Sequence, residues 1–254
     1  MDKMTFYDKL LYYLTVPKCV CCRSKLRIDD LALCGDCLKE YENIKASDCS
    51  LCARVMNRCV CVNEYLDRHF VHKLIKVFRY RRPEGPNDRI PSNELIYNIK
   101  RGQRRDLVEF IVNEVAEAIV SSIDADKYVI SNVPRKKSRA LKYGLDHSEI
   151  IAKALAKRLG IDYVKLLLSS SKKPQKKTYG EQRIVNATFD YVRRPIDVKG
   201  KHILLFDDIV TTGASMGNSA MLIKGLGAKE VVGVCLSVAY KDRYVPFKKN
   251  FFER

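Results

Sequence analysis

Two neighbouring carboxylates precede a turn of small residues in the stretch HILLFDDIVTTGAS, residues 202–215. Asp207 and Asp208 end an apolar run, and the turn consists of Thr211, Thr212, Gly213, Ala214 and Ser215. Backbone N–H groups at the start of a helix bind anions, and small side chains let a phosphate approach them. The carboxylates would repel that phosphate but would accept hydrogen bonds from sugar hydroxyls. The stretch therefore predicts a sugar-phosphate site. The alternative is an ordinary turn beside a solvated acid pair.

A second constellation is made of cysteines, nine of which lie between Cys19 and Cys61. Pairs spaced C-x2-C can direct two thiolates at one ion, and two pairs complete a tetrahedral zinc site. One structural zinc is predicted at Cys19, Cys22, Cys34 and Cys37. A second is predicted at Cys49, Cys52, Cys59 and Cys61, where the C-x-C pair closes tightly. Cys21 could replace a neighbour, and disulfides or free thiols are the alternative to metal.

The elements around the acid pair predict an α/β fold. Residues 201–206 are typical of a buried strand that ends before the acid pair. A helical pattern from residue 216 and another strand from residue 229 complete a β-α-β unit with a parallel sheet. Residues 128–131 and 147–160 predict a further strand and helix. Ligands of such sheets bind beyond the carboxyl ends of the strands, where the turn would lie.

The chain is predicted to divide into a cysteine-rich module, residues 1–62, and a larger domain, residues 63–254. A small module of this kind buries too little surface to fold without metal. Residues 161–170 predict one more strand. The polar segment 172–187 predicts a long loop, either a lid over a site or a solvated run of charge.

The charge balance favours a polyanionic partner. Lys and Arg number 47 against 30 Asp and Glu, a net charge of +17, which suits phosphates or nucleic acid, with solubility alone as the alternative. Basic residues concentrate in 76–105, 135–142 and 165–201, but few aromatics are interleaved with them and Trp is absent. No apolar run is long enough to span a membrane and no signal peptide is recognised, so a cytoplasmic location is expected.

The stretch ILLFDDIVTTGAS resembles the 5-phosphoribosyl-1-pyrophosphate (PRPP) motif of type I phosphoribosyltransferases. A cysteine-rich head, a basic segment around LIYNIKRG and such a domain together resemble the ComF family of competence-related proteins, also called GntX-like. A Pro-Gln-Lys…Arg…Asn…Phe pattern also matches, at Pro174, Gln175, Lys176, Arg183, Asn186 and Phe189. The segment 143–147 departs from the family because it keeps the glycine but lacks the Phe and the Asn-Gln pair.

The resemblance implies a type I phosphoribosyltransferase fold that binds PRPP with Mg²⁺ in a loop spanning 207–215. Asp207 and Asp208 would contact the ribose hydroxyls or the water shell of the metal, and the turn 211–215 would hold the 5-phosphate. The pyrophosphate loop would be Asn132, Val133, Pro134 and Arg135. The lid 172–187 would bring Lys176, Lys177 and Arg183 to the pyrophosphate. No convincing general base is found: His147 is a candidate by position, and His202 is expected to be structural.

Two functions are compatible with this resemblance. The first is transfer of a phosphoribosyl group to an unidentified acceptor with release of pyrophosphate, in a role linked to DNA uptake. The second is a non-catalytic protein of the transformation machinery that senses PRPP or a nucleotide and binds single-stranded DNA, with competence helicase or uptake proteins as partners.

Overall fold

A computed structural model describes residues 17–85, 87–102, 104–135, 146–169, 189–193 and 196–239. The helices in these residues are α1 (Gly35–Lys45), α2 (Glu64–Arg68), α3 (Pro91–Arg101), α4 (Arg105–Val120), α5 (His147–Leu159) and α6 (Ala214–Gly225). The strands are β1 (Val71–Arg79), β2 (Tyr128–Asn132), β3 (Leu167–Ser169), β4 (Phe189–Tyr191), β5 (His202–Val210) and β6 (Glu230–Val238). Short 3₁₀ turns occupy Met56–Arg58 and Ala125–Lys127.

The main sheet has four parallel strands in the order β1-β6-β5-β2. The two central strands are almost continuously apolar because a parallel sheet is covered on both faces. Residues 203–206 of β5 and 231–236 of β6 are accordingly buried, and the packing at Gly233 is so tight that a Cβ there would lie 2.7 Å from Sδ of Met216. The predicted β-α-β unit is present: β5, α6 and β6 follow one another, and the two strands pair in parallel.

Each face of the sheet carries its own apolar core and its own cysteine group. One core contains Leu204 and Phe206 together with apolar residues of α1, α3, α4 and α5 and the first cysteine group. The other contains Ile203 and Leu205 together with residues of α2 and α6 and the second cysteine group. The sheet therefore separates the two cysteine groups.

Helix α5 begins and ends as its sequence dictates. The carboxylate of Asp146 accepts hydrogen bonds from the N–H groups of Ser148 (3.1 Å) and Glu149 (3.3 Å), so it is the N-cap. Gly160 ends the helix with φ of 71°, a left-handed conformation that glycine adopts without strain. This fixed start places His147 at the carboxyl end of β2.

Two strand predictions need correction. In the segment 161–170, predicted as one strand, Tyr163 forms only an isolated parallel bridge with Ile130 of β2, and the regular strand is Leu167–Ser169, which pairs antiparallel with β4 in a separate two-stranded sheet. Strand β5 does not end at Phe206 but continues to Val210 because its pairing with β6 extends to Val238. The division at residue 62 stays a prediction. Within the part of the chain that the structure describes, no helix has the length and apolarity needed to cross a membrane.

Candidate functional site

The acid pair lies inside strand β5, not in the loop after it. Asp207 is paired with Cys235 of β6, and the ladder continues past it to Val210. Successive side chains of a strand point to opposite faces, so Asp207 lies on the face of Leu205, and Asp208 lies on the other. The predicted end of the strand, Phe206, was wrong by four residues, and the two carboxylates therefore meet different surroundings.

Asp208 is buried, and its carboxylate contacts the side chains of His147 and Lys100. Its Oδ2 lies 2.7 Å from Nε2 of His147 and 2.9 Å from Nζ of Lys100. Its Oδ1 accepts the backbone N–H of Ile209 at 2.8 Å. Both donors come from helices that cover the same face of the sheet, α5 and α3. Asp208 is therefore fully used as an acceptor within the protein.

His147 is held by both ring nitrogens. Nδ1 lies 2.7 Å from a guanidinium nitrogen of Arg135. Because arginine only donates, Nδ1 must accept, and Nε2 must carry the proton that is donated to Asp208. A histidine so engaged has no free nitrogen with which to take a proton from a substrate. The structure thus argues against the role of general base that its position suggested.

The two aspartates differ in pKa. Burial would raise the pKa of Asp208, but the hydrogen bond from His147 and the positive charge of Lys100 outweigh it and hold the pKa well below the usual range. Part of Asp207 is accessible, but its carboxyl group is packed closely enough that burial raises its pKa. The charge of Asp208 raises that pKa further. The pair therefore combines a fixed anion with a carboxyl group that holds its proton more strongly than usual.

The 211–215 turn, residues Thr211 to Ser215, joins β5 to α6. Gly213 has φ of 86° and precedes Ala214, the first residue of the helix. The first N–H groups of a helix have no partner within it, and the dipole is positive there. Thr211, Thr212 and Ser215 are exposed. The hydroxyl of Thr212 accepts the N–H of Ala214 at 3.3 Å, so an anion would compete for this donor.

The predicted pyrophosphate loop lies beside the acid pair. Asn132 is the last residue of β2 and is opposite Phe206 in the sheet, and Val133 N–H donates to the Phe206 carbonyl at 2.9 Å. Asn132 Oδ1 accepts the Tyr163 hydroxyl at 2.8 Å. Pro134 follows, and Arg135 bonds to His147. All four predicted residues, Asn132 to Arg135, thus lie at the carboxyl edge of the sheet, next to β5.

The predicted lid residues lie outside the described residues, as do Lys136 and the rest of the basic run up to residue 145. His202 lies at the opposite edge of the sheet. Its Nδ1 is 2.9 Å from Glu230, and its ring packs edge-on against Tyr128 at 5.3 Å. These contacts agree with the structural role expected for it.

The two cysteine groups have the geometry of metal sites. In each, all four sulfur atoms lie within 4.8 Å of one another, and ideal tetrahedral zinc–thiolate coordination would place them about 3.8 Å apart. The groups are Cys19, Cys22, Cys34 and Cys37, and Cys49, Cys52, Cys59 and Cys61. All ten cysteines are among the described residues, and none is in a disulfide. Cys21 is not a ligand here, because its thiol donates to the Arg89 carbonyl at 3.3 Å. The residues therefore fit zinc at both positions.

Sequence reasoning missed two residues that contact the site. Lys100 belongs to the basic segment LIYNIKRG, but nothing local indicates that it reaches an aspartate 108 residues later. Asn63 donates from Nδ2 to the carbonyl of Thr212 at 3.1 Å, across 149 residues of sequence. In the sequence, the only indication of a role for Asn63 is its position as a polar residue two places after Cys61, the last cysteine of the second group.

Comparison with known proteins agrees with this geometry. Residues 145–253 match the model of the phosphoribosyl transferase domain, a segment that contains β5, the 211–215 turn and α6. Ribose-phosphate pyrophosphokinase 2 of Archaeoglobus fulgidus is 37% identical over 59 residues, which are 23% of this chain and 22% of that protein. The chain spans less than a quarter of the length of the ribose-phosphate pyrophosphokinases that it matches.

Two other relatives align over most of their length. DNA utilization protein YhgH of Salmonella typhimurium is 23% identical over 202 residues, which are 74% of this chain and 88% of that protein. Competence protein ComFC of Streptococcus pneumoniae is 22% identical over 210 residues, which are 81% of this chain and 87% of that protein. The fold is the type I phosphoribosyltransferase fold, a parallel sheet with flanking helices. Two relatives align well beyond the domain itself, and two cysteine groups that fit zinc precede it, so the chain is similar to these ComF-type proteins over most of its length and not only over the phosphoribosyl transferase domain.

Proposed function

We propose that the chain binds PRPP at the carboxyl edge of the sheet. The 5-phosphate would lie against the N–H groups of the 211–215 turn, and the ribose hydroxyls would face Asp207. The observation that carries the proposal is the adjacency of three features within one edge: a helix start with exposed hydroxyls, an acid pair, and the Asn132–Arg135 segment. In the proposed complex the helix start would hold the 5-phosphate of PRPP, the acid pair would face the ribose hydroxyls, and the Asn132–Arg135 segment would face the pyrophosphate.

The chemistry proposed for the site is transfer of the phosphoribosyl group to an unidentified acceptor. The bond between C1 of ribose and the pyrophosphate oxygen breaks, the electron pair leaves with pyrophosphate, and a bond forms between C1 and a nitrogen nucleophile. Positive charge develops on the ribose ring, and carboxylates close to it stabilise that charge. The proton of the nucleophile leaves to solvent in this scheme, since His147 is fully engaged.

Magnesium fits the residues of the site. Mg²⁺ prefers oxygen ligands and keeps several waters, so it needs few carboxylates. When bound, it would neutralise charge on the pyrophosphate. Asp207 is the suitable protein group, because among the described residues no cation forms an ion pair with it, whereas Asp208 is occupied by Lys100 and His147. Binding a cation there would favour loss of the proton from Asp207.

Titration of the protein with PRPP and Mg²⁺ by calorimetry tests the proposal. Saturable binding is expected, and it should weaken strongly in Asp207→Asn and in Ser215→Ala. Asp162→Asn is a matched control, because it makes the same charge change at the opposite edge of the sheet. Equal binding by all variants, or none by the wild type, would overturn the proposal. A screen of nitrogen nucleophiles for pyrophosphate release then tests catalysis.

A second proposal is single-stranded DNA binding along the same edge, and it rests on a pair of aromatic residues. The hydroxyls of Tyr80, just after β1, and Tyr97, on α3, contact each other. They lie among basic residues: Arg79, Arg81 and Arg82 flank Tyr80, and Lys100 is one turn beyond Tyr97. Bases stack on such rings, and basic residues follow the backbone. The names of the relatives YhgH and ComFC, which refer to DNA utilization and competence, favour this reading.

The DNA proposal makes a separable prediction. Affinity for an oligonucleotide should fall steeply with salt and should fall in Tyr97→Ala, but it should not change in Asp207→Asn. Affinity that is independent of salt would exclude it. A cytoplasmic location and contact with competence helicase or uptake proteins remain predictions from the resemblance.

A further inference from the structure

The second cysteine group is joined to the 211–215 turn by a very short path. Its last cysteine, Cys61, is followed two residues later by Asn63, the N-cap of helix α2. Asn63 Oδ1 accepts the N–H of Leu66 at 2.9 Å, and its Nδ2 donates to the Thr212 carbonyl at 3.1 Å. One side chain therefore fixes both the start of α2 and the backbone of the turn.

Helix α2 packs on the turn and on α6 without space to spare. A Cβ at Gly213 would lie 2.8 Å from Cγ of Leu66, and a Cβ at Gly217 would lie 2.9 Å from the ring of Tyr65. These distances are shorter than side-chain contacts in real proteins. The Tyr65 hydroxyl also donates to Asn218 at 2.8 Å. Any displacement of α2 would therefore move the turn or the first turn of α6.

A buried lysine lies between this cysteine group and the sheet. Lys76 is 1% exposed. Its ammonium donates to the carbonyl of Cys61 at 2.6 Å and to that of Leu74 at 3.3 Å. In the described residues no carboxylate lies within ion-pairing distance of it. A buried cation needs a negative partner. Four thiolates around one zinc ion carry a net negative charge and would supply that partner.

The same lysine is aligned with the acid pair. In the sheet Lys76 is opposite Cys235, and Cys235 is opposite Asp207, so the three residues form one row across β1, β6 and β5. The row extends from the second cysteine group to the site. Among the described residues the first cysteine group has no corresponding hydrogen bond to the 211–215 turn. It packs on the other face against α1, α3 and α4, and α3 carries the Lys100 that pairs with Asp208.

We propose that the second cysteine group, when it holds zinc, positions the 211–215 turn for phosphate binding. Asn63 and Leu66 act as positioning residues, and Lys76 balances the charge of the thiolates. Loss of metal from this group loosens α2 and thereby the turn, whereas loss from the first group does not. The ligand-binding half of this inference rests on the proposed PRPP site, but the structural half does not.

The test compares two matched variants, Cys52→Ser and Cys22→Ser. Each removes one exposed ligand, Cys52 from the second group and Cys22 from the first. Zinc content, hydrogen exchange of peptides covering 211–218, and PRPP affinity are measured for both. Each variant should lose one zinc. Only Cys52→Ser should exchange faster in 211–218, and its PRPP affinity should fall about tenfold or more, the equivalent of losing one or two hydrogen bonds.

A second pair of variants keeps the inference testable if Cys52→Ser does not fold. Asn63→Ala and Gly217→Ala leave every cysteine in place, so both zinc ions should remain. Exchange in 211–218 should still accelerate, because the contact between α2 and the turn is weakened. The expected loss of PRPP affinity for Asn63→Ala is about fivefold.

The outcomes separate the inference from the proposed function. Faster exchange only in Cys52→Ser, Asn63→Ala and Gly217→Ala supports the positioning role, whether or not the wild type binds PRPP. Failure of the wild type to bind PRPP would overturn the proposed function alone. Unchanged exchange and affinity in these variants, with PRPP bound tightly by the wild type, would overturn the inference and leave the proposed function intact. Equal effects of Cys22→Ser and Cys52→Ser would also overturn it.

Discussion

Replacing Asp208 and Asp207 one at a time by asparagine is expected to change stability in opposite directions. The two residues are adjacent and the substitutions are nearly isosteric, so each variant is the control for the other. Asp208 accepts from His147 at 2.7 Å and Lys100 at 2.9 Å. Asp207 forms no ion pair among the described residues, and its Oδ1 accepts the Asp208 N–H at 2.9 Å, which an asparagine oxygen would also accept.

The expected magnitude follows from these contacts. In Asp208→Asn the charge is lost and the amide NH₂ replaces one acceptor, so at least one charge-assisted hydrogen bond is lost. Such a bond contributes about 1.5–3 kcal/mol, which for a chain of this size lowers Tm by about 3–12 °C. In Asp207→Asn the repulsion from Asp208 disappears. Because burial and this repulsion raise the Asp207 pKa, removing the charge should raise stability at pH 7.

The pH dependence of stability should also differ between the two variants. The raised pKa of Asp207 means that the folded state keeps this proton after the unfolded state has lost it, so stability falls as pH rises above about 4. The advantage of Asp207→Asn should therefore appear above about pH 4 and vanish below it. The lowered pKa of Asp208 contributes stability above about pH 4 that is lost as pH falls. The deficit of Asp208→Asn should shrink in acid.

Denaturant unfolding at pH 3.5, 5 and 7 measures all of these differences. Equal destabilisation by both substitutions at pH 7 would refute the division of roles within the pair. A stability gain for Asp208→Asn would refute its role as the fixed anion.

Further expectations concern the glycine turn, the lysine beside the acid pair and the metal sites. Gly213→Ala should lower Tm by about 2–8 °C, since the left-handed conformation costs about 1–2 kcal/mol. It should also weaken PRPP binding, while Gly102→Ala, which has open space around it, should do neither. Lys100→Met should raise the pKa of Asp208. As the pH is lowered, PRPP binding should therefore weaken at a higher pH in this variant than in the wild type, which calorimetric titrations at a series of pH values would show. Native mass spectrometry should find two zinc ions per chain. Lys76→Met should weaken zinc at one site about 10-fold to 100-fold in a chelator competition, as loss of an outer-shell partner does. Lys73→Met, an exposed neighbour on the same strand, should leave both sites unchanged.

The parts of the fold that were predictable depend on local patterns. The apolar run at 203–206 is continuous because β5 is buried on both faces, and the small residues of the turn mark the start of α6. Cysteine spacing predicted both four-sulfur groups, because two cysteines separated by one or two residues can direct their thiolates at one ion through local backbone geometry. Asp146 and Gly160 likewise bound α5 through their own backbone geometry.

The parts that were missed depend on contacts between distant segments. Two adjacent aspartates locally predict the end of a strand. Strand β5 nevertheless continues through the acid pair, because β6 supplies hydrogen bonds as far as Val238. Lys76 is charged and yet buried because a carbonyl of the cysteine-rich segment accepts from it. The engagement of His147 on both sides, which removes it as a base, needs Arg135 and Asp208 to be brought together by tertiary structure.

A crystal structure of the protein with PRPP and Mg²⁺ tests the central claim most directly. We expect the 5-phosphate within hydrogen-bonding distance of the N–H groups of the 211–215 turn, with the ribose hydroxyls facing Asp207. A ligand bound at another place, such as the depression of about 510 Å³ lined by Tyr128 and His202 at the opposite edge of the sheet, would contradict it.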